Sequence, residues 1–365
     1  MEHIENDQIY KGLSVNKGVE QLPSVNPAAA QRFLKKKRKN RTVEQYIEGI
    51  LSGDVTILSQ AVTLIESSLP QHQEKAREII LKCLPYAGKS IRLGITGVPG
   101  AGKSTFIEAL GTHLIEAGSR LAVLAIDPSS ERTKGSILGD KTRMETLSSM
   151  PNAYIRPSPS AGSLGGVARK TRETIILCEA AGYDTIFIET VGVGQSETAV
   201  HSMVDFFLLI LIAGAGDELQ GIKRGIMEMA DGIAINKADG QNLQKAELAK
   251  AQYRNALHLF PPTRSGWVPR VETCSSLSSN GVESVWKMIR EYIDHTKQNK
   301  YFDQNRKEQA RYWMYETINE SLKNNFYQNS LIKEKIPTFE AMVNNDEMSS
   351  FEAARHLLES YYSKK

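Results

Sequence analysis

The segment "GVPGAGKST" places glycines, a lysine and a serine at a spacing that can bind phosphate. Gly97, Gly102, Lys103 and Ser104 match the pattern G-x-x-x-x-G-K-[ST]. Glycines let backbone N–H groups converge on phosphate oxygens, and the N-terminus of a following helix adds its dipole. We expect Lys103 to bridge β- and γ-phosphate oxygens and Ser104 to bind Mg²⁺. The predicted phosphate-binding residues are Gly97, Gly100, Ala101, Gly102, Lys103, Ser104 and Thr105.

A second segment, "INKADG", has the residue types that select guanine. The Asp239 carboxylate can accept hydrogen bonds from guanine N1–H and from the N2 amine, whereas adenine offers no donor at either place. A buried carboxylate left unpaired costs ~1–3 kcal/mol, so the wrong base is rejected. We expect Asn236 to reach N7 and the Lys237 stem to cover the ring. In "TCSSLSS", Ser275 and Ser276 are candidates for a loop whose backbone N–H contacts guanine O6, although an ordinary serine-rich loop is the alternative.

Three acidic residues are candidates for binding Mg²⁺ beside the phosphates. Asp127 ends the apolar run "LAVLAID", Glu189 ends "TIFIE", and Asp140 lies in "GSILGDKTRM". Strand-end acids point into the crevice at the carboxyl edge of a parallel sheet, where ligands bind. An ordinary turn acid or helix cap is the alternative for each of them. Glu189 is one carbon longer than aspartate, so we expect it to reach Mg²⁺ through a water molecule.

The stretch "IETVGVGQSE" departs from the Asp-x-x-Gly-Gln segment of many GTPases at two positions. Glu189 stands in place of the aspartate, and Val193 stands where the water-positioning glutamine would be. Gly192 keeps the backbone N–H that senses a γ-phosphate. Without the glutamine, and with no arginine finger evident, we expect slow GTP hydrolysis in the absence of a partner. The candidates for the residue that takes over the role of this glutamine are Asp127, Asp140 and Lys223. Gln195 is not assigned the role, because the direction of its side chain is undetermined.

These residues need a scaffold that brings several strand ends together. Seven short apolar runs recur through the middle of the chain: "IRLGIT", "LAVLAID", "AYIRPS", "TIFIET", "FFLLILI", "GIAINK" and "VETCSS". The runs lack the polar alternation of half-exposed strands, which favours strands covered on both faces. The predicted fold class is therefore α/β, with a doubly wound, mostly parallel sheet.

Helical patterns flank this central region. We predict a mobile basic arm over 1–41, a segment of two helices over 42–88, a nucleotide-binding domain over 89–295 and a helical arm over 296–365. The run "RFLKKKRKNR" in the first segment indicates a solvated arm, with a docking patch for an anionic partner as the alternative. The C-terminal arm is rich in aromatic residues, so we expect it to pack on another surface, either on its own domain or on a second subunit.

Composition excludes several other classes of protein. The chain has 365 residues and a net charge of +3, which is too small to argue for nucleic-acid binding. Its longest apolar run, "FFLLILIAGAG", is far shorter than the ~20 residues that span a bilayer. The three cysteines are widely spaced and form no C-x-x-C pair, which fits a reducing compartment and argues against a disulfide framework. We therefore expect a cytoplasmic protein that binds neither nucleic acid nor membrane.

Seven motifs together closely resemble the MeaB/MMAA/ArgK family of G proteins. They occur in one order along the chain: "GVPGAGKST", "AIDPSS", "GSILGDKTRM", "IRPSPSAGSLGGVA", "IETVGVGQSE", "GAGDELQGIKRGIMEMAD" and "NKADG". The resemblance covers roughly residues 50 to 295 and a helical tail of the expected kind. It implies a P-loop G domain of the class that includes the signal recognition particle GTPases. One departure is Ser276, where the family often has alanine.

The resemblance also implies roles for individual residues. By position, the implied magnesium ligands and switch acids are Ser104, Asp127, Asp140 and Glu189, and the implied catalytic residues are Lys103, Asp127, Asp140, Arg143, Gly192 and Lys223. Arg143 falls in the implied switch I and Lys223 in an additional switch III. An ordinary solvated helix charge is the alternative for both cations.

Members of the family are GTPase chaperones of adenosylcobalamin-dependent methylmalonyl-CoA mutase or a close relative. The resemblance therefore implies a homodimeric protein that uses GTP, GDP and Mg²⁺, gates cofactor loading and protects the mutase. Two other functions stay open. One is a kinase that transfers the γ-phosphoryl group, as in the older description of some relatives as a transport-system kinase. The other is a nickel metallochaperone, which is weakened by the absence of a Cys/His cluster in the sequence.

Overall fold

Seven parallel strands form the sheet of the computed structural model, which describes residues 41–126, 144–157, 164–190, 196–213 and 224–363. The order across the sheet is β3-β2-β4-β1-β5-β6-β7, and every neighbouring pair is parallel. Each of the seven apolar runs forms a strand, so the predicted α/β fold with a doubly wound parallel sheet is confirmed. The strands are β1 Ile91–Gly97, β2 Leu121–Ile126, β3 Ala153–Arg156, β4 Thr185–Thr190, β5 Phe206–Ile212, β6 Gly232–Asn236 and β7 Arg270–Thr273.

Both faces of the sheet are buried, because alternate strand residues point to opposite sides. In β2, Leu121 and Val123 belong to the core cluster on one face, whereas Ala122, Leu124 and Ile126 belong to the cluster on the other. This explains why the strands appear in the sequence as continuous apolar runs rather than as alternating ones.

Helices supply the layers that cover the two faces. Within the described ranges they are α1 Val43–Leu51, α2 Val55–Glu66, α3 Pro70–Cys83, α4 Lys103–Glu116, α5 Glu145–Ser149, α6 Leu164–Ala180, α7 Ser196–His201, α8 Arg224–Met229, α9 Leu243–Leu257, α10 Val282–Gln298, α11 Tyr301–Gln328, α12 Ser330–Asn344 and α13 Ser350–Tyr362. No helix in this part of the chain has a stretch long and apolar enough to cross a membrane.

The segment before the sheet contains three helices rather than the two that the sequence predicts. The break between α1 and α2 comes from Gly53, which has a φ of 77°, and from Asp54. The Asp54 carboxylate caps α2 by accepting hydrogen bonds from the N–H groups of Thr56 and Ile57, at 2.8 and 3.0 Å. A left-handed glycine followed by a capping aspartate ends one helix and begins the next, and the apolar periodicity conceals this boundary.

The first of the C-terminal helices packs on the domain that contains the sheet. The Trp313 side chain of α11 is buried in the same core cluster as residues of α6 and α7. Beyond Trp313, the apolar side chains of Tyr315, Ile318 and Leu322 are exposed. The arm therefore covers its own domain with its first half, while its second half leaves apolar surface uncovered in the isolated chain.

Candidate functional site

The phosphate-binding pattern forms the turn between β1 and α4. Gly97, Gly100 and Gly102 have φ values of 156°, 80° and 85°, which residues with a Cβ rarely adopt. A Cβ on Gly97 would lie 2.2 Å from the Ile210 carbonyl oxygen of β5, so this position tolerates only glycine. Ala101 is fully buried and anchors the turn on the core. The sheet order changes direction at β1, and the turn lies at the carboxyl edge of the sheet, where α/β folds bind ligands.

Lys103 is held against the inside of this turn. Its Nζ donates hydrogen bonds to the carbonyl oxygens of Gly97, at 2.8 Å, and Val98, at 3.4 Å. Burial lowers the pKa of Lys103, and the negative charges of Glu189 and Glu197 oppose that change. The ammonium group is thus partly desolvated, and a cation in such a place interacts more strongly with an anionic ligand than one in water.

Two of the residues predicted to bind Mg²⁺ lie next to each other in the structure. The Ser104 hydroxyl donates a hydrogen bond of 3.1 Å to Glu189 Oε1, across 85 residues of sequence. Glu189 lies in β4, and only 4% of its surface is exposed. Mg²⁺ prefers oxygen ligands and usually takes only one or two from the protein, with phosphate and water completing its shell. A hydroxyl and a carboxylate side by side beneath the phosphate turn fit this ion.

Asn236, at the end of β6, joins the phosphate turn to the base-recognition segment. Its Nδ2 donates to the Ala101 carbonyl at 2.8 Å. Its Oδ1 accepts from the Ser276 N–H at 3.0 Å and from the Ser276 hydroxyl at 2.8 Å. The residue is 1% exposed. Both ends of its amide therefore bind the protein, and because Nδ2 carries two N–H donors, the contact with N7 stays a prediction.

The remaining base-recognition residues lie around Asn236. Asp239 is exposed at the rim, and its carboxylate accepts a hydrogen bond from the Ser275 hydroxyl, which orients it. The Ser275 N–H donates to the Asn280 carbonyl at 2.8 Å. The Ser276 N–H also has a protein acceptor, so a contact to guanine O6 from either N–H would have to share that donor. Lys237 has a φ of 58°, and its side chain is exposed beside Asp239.

Five predicted site residues lie outside the described residues: Asp127, Asp140, Arg143, Gly192 and Lys223. Their roles remain predictions. Val193 and all of the basic run except Arg41 also lie outside the described residues. Among the predicted residues that are described, the structure brings Lys103, Ser104 and Glu189 together at the phosphate turn, and Asn236, Asp239, Ser275 and Ser276 together at the base end. Thr105 is exposed on the first turn of α4.

Glu197 is a buried acidic residue near the end of a predicted motif that the sequence reasoning did not single out. It lies in the first turn of α7, is 3% exposed, and contributes to the field at Lys103. The only sequence signal is its position as the last residue of "ETVGVGQSE". A glutamate at the start of a helix normally indicates a favourable dipole interaction on the surface, which is why its burial was not foreseen.

The link through Asn236 can be tested with two glycine substitutions. Gly100 and Gly102 share a left-handed backbone, so alanine costs about 1 kcal/mol at either position. A Cβ on Gly102 would lie 2.7 Å from Asn236 Nδ2, whereas a Cβ on Gly100 meets no atom within 4 Å. We expect Gly102→Ala to lower the unfolding free energy of the nucleotide-free protein by ~1–2 kcal/mol more than Gly100→Ala. Urea denaturation measures this difference, and equal effects would contradict the link.

Comparison with known proteins identifies the family. A family model described as methylmalonyl Co-A mutase-associated GTPase MeaB matches residues 58–330. A putative GTPase of Caulobacter vibrioides is 49% identical over 86% of this chain and 95% of its own length. The mouse methylmalonic aciduria type A homolog is 44% identical over 90% of this chain and 81% of its own length.

A solved structure also matches along almost its whole length. The crystal structure of the LAO/AO transport system kinase has a TM-score of 0.71 and 37% sequence identity to this chain, and the match covers 89% of this chain and 99% of that one. Family model, relatives and solved structure thus cover the same region as the site described above. The chain belongs to the MeaB family of methylmalonyl Co-A mutase-associated GTPases.

Proposed function

We propose that the protein is a magnesium-dependent GTP-hydrolysing chaperone of an adenosylcobalamin-dependent acyl-CoA mutase, with methylmalonyl-CoA mutase as the partner. In this role it gates cofactor loading and protects the mutase. The observation that carries the nucleotide part is the Asn236 side chain, which joins the phosphate turn at Ala101 to the base loop at Ser276. Membership of a family described by its association with the mutase supports the partner.

The described residues have distinct tasks in this proposal. Lys103 holds positive charge beside the transferred phosphoryl group, and Ser104 with Glu189 would hold Mg²⁺, which neutralises charge on the phosphates. Asp239, oriented by Ser275, reads the guanine edge. Arg143 and Lys223 would stabilise negative charge when the switch segments close, and Gly192 would donate its N–H to the γ-phosphate. Asp127 and Asp140 complete the proposed magnesium and switch acids.

Binding to the mutase is tested by retention of the partner in defined nucleotide states. Immobilised protein is incubated with methylmalonyl-CoA mutase and with GDP, a non-hydrolysable GTP analogue or no nucleotide. We expect retention that depends on the nucleotide. Failure to retain the mutase in all three states would overturn the chaperone role and leave the GTPase assignment standing.

The rate of GTP hydrolysis by the isolated protein tests whether the protein acts as a switch. Val193 replaces the water-positioning glutamine, so we propose slow hydrolysis without a partner. Turnover on the order of 10 s⁻¹ in the purified protein, a rate typical of metabolic enzymes, would contradict this. Labelled phosphate from [γ-³²P]GTP should appear as free phosphate. Its transfer to an acceptor would instead support the kinase function named by the similar solved structure.

The exposed apolar side chains of α11 support a homodimer through the C-terminal arm. Tyr315, Ile318 and Leu322 lie three and four residues apart and so share one face of the helix. A contiguous apolar face in a stable protein is normally covered by a partner. We propose that the segments 1–41, 42–88, 89–295 and 296–365 divide the chain into arm, helical segment, G domain and dimerisation arm.

A further inference from the structure

The C-terminal helix α11 binds the segment that links α7 to β5. Trp313 Nε1 donates a hydrogen bond of 3.1 Å to the Ser202 carbonyl, and Gln309 Nε2 donates one of 2.7 Å to the Val204 carbonyl. Trp313 and Gln309 are both buried. These contacts join residues more than 100 positions apart, and each gives a backbone carbonyl a hydrogen-bond donor from the C-terminal helix.

A third side chain of α11 extends the attachment to the sheet. Arg306 donates to both carboxylate oxygens of Asp205 at 2.7 Å, and to the carbonyls of Gly88 and Ser90 at 2.6 Å. The Arg92 N–H of β1 donates to the same Asp205 carboxylate at 2.8 Å. Paired charges that are buried and fully hydrogen-bonded hold a fixed geometry. The segment at 202–205 is therefore tied both to the C-terminal arm and to the strand that leads into the phosphate turn.

The opposite side of this segment packs directly on β1. A Cβ on Gly94 would lie 2.9 Å from Val200 Cγ1 and 3.0 Å from Val204 Cγ2, so the two valines contact the strand where it has no side chain. The end of α7 is thus enclosed between β1 on one side and α11 on the other. Close-packed elements of this kind shift as units rather than bend.

The first turn of α7 contains a buried glutamate. Glu197 is buried, and its negative charge acts to raise the pKa of Lys103. Glu197 and Ser202 are five residues apart, a rise of roughly 8 Å along a helix. A displacement at Ser202 therefore reaches Glu197 through one short rigid element. In GTPases the segments that sense the γ-phosphate change position with nucleotide state.

We propose that Trp313 and Gln309 are positioning residues for GTP hydrolysis: by holding the end of α7 against β1, the strand that leads into the phosphate turn, they keep α7 and its buried Glu197 in place, and they make the C-terminal arm responsive to the nucleotide. This inference rests on the proposed GTPase function. Because coupling between two sites is reciprocal, the arm influences the site and the nucleotide influences the arm.

Two substitutions each remove one hydrogen bond: Gln309→Met, which nearly keeps the side-chain volume, and Trp313→Phe, which also removes part of a buried ring. We expect the kcat for GTP, per active site counted by nucleotide titration, to fall by roughly threefold to tenfold in each, the factor set by one ordinary hydrogen bond. The Kd for GDP should stay within about twofold of the wild-type value. Tyr312→Phe, on the neighbouring exposed position, is the control. An unchanged kcat in both variants would overturn the inference.

A measurement without turnover tests the reverse direction. Labelling with 5-fluorotryptophan gives three ¹⁹F resonances, from Trp267, Trp286 and Trp313, and Trp313→Phe assigns the third. We expect the Trp313 resonance to shift between GDP and a non-hydrolysable GTP analogue, and the Trp267 resonance to stay in place. Nucleotide binding with no shift at Trp313 would contradict the coupling alone, whereas no binding of guanine nucleotide would contradict the proposed function.

Discussion

Lys103→Ala should lower the kcat for GTP hydrolysis by at least about 100-fold while the protein stays folded. Lys103 Nζ lies inside the phosphate turn, 2.8 Å from the Gly97 carbonyl, and it brings a partly desolvated positive charge to the place where phosphate charge develops. Lys103 is only half-buried, so its removal should leave the hydrophobic core intact. Phosphate release from GTP measures the first effect, and thermal unfolding in the absence of nucleotide measures the second.

Lys287→Ala is the matched control for this prediction. Lys287 is an exposed lysine on α10, so its removal takes away the same charge without touching the site. We expect wild-type hydrolysis from this variant. Unaltered hydrolysis by Lys103→Ala would show that the phosphate turn has been assigned to the wrong residues, whatever the control does.

Asp239→Asn should change the base that the protein prefers. The aspartate can accept two hydrogen bonds from guanine, whereas asparagine offers one acceptor and one donor, and the donor would face the guanine N2 amine. Xanthine has a carbonyl oxygen at that place. We expect the affinity for GTP to fall by roughly 100-fold and the variant to bind XTP more tightly than GTP. Competition against a fluorescent nucleotide measures both affinities.

The substitution should preserve the hydrogen bond from the Ser275 hydroxyl, because the asparagine oxygen can accept it in place of the aspartate oxygen. Asp294→Asn, at an exposed position on α10, is the control for the loss of one charge. If the variant hydrolyses XTP at the wild-type rate for GTP, the phosphate end is intact and the change is confined to the base. An unchanged preference for GTP would contradict the assignment of Asp239.

The strands were predictable because each one is buried on both faces and its apolar residues are contiguous in sequence. The phosphate turn was predictable for a related reason. Gly97, Gly102, Lys103 and Ser104 act through backbone conformation and through chemistry that depends on near neighbours in sequence. The break between α1 and α2 was missed, since the capping carboxylate of Asp54 gives a weaker signal than the apolar periodicity that runs across it.

The role of Asn236 shows where sequence reasoning ended. Its motif predicts contact with guanine, and the structure adds contacts of its amide with Ala101 and Ser276, which lie 135 and 40 residues away in sequence. Such a contact depends on which strand ends meet at the edge of the sheet, and local spacing contains no information about that. The Ser276 hydroxyl, at a position where the family often has alanine, adds a hydrogen bond to the same oxygen.

The sequence by itself determined the class of fold and the resemblance to one family, and it predicts the phosphate turn and the aspartate that would select guanine. Each of these depends on residue types within a few positions of one another. Only the tertiary structure decided that Ser104 meets Glu189, that Glu197 is buried, and that α11 holds the end of α7 through Trp313. These contacts form because the sheet brings distant strand ends to one edge and the C-terminal helix packs back on the segment behind them. They follow from chain topology, which residue spacing alone does not encode.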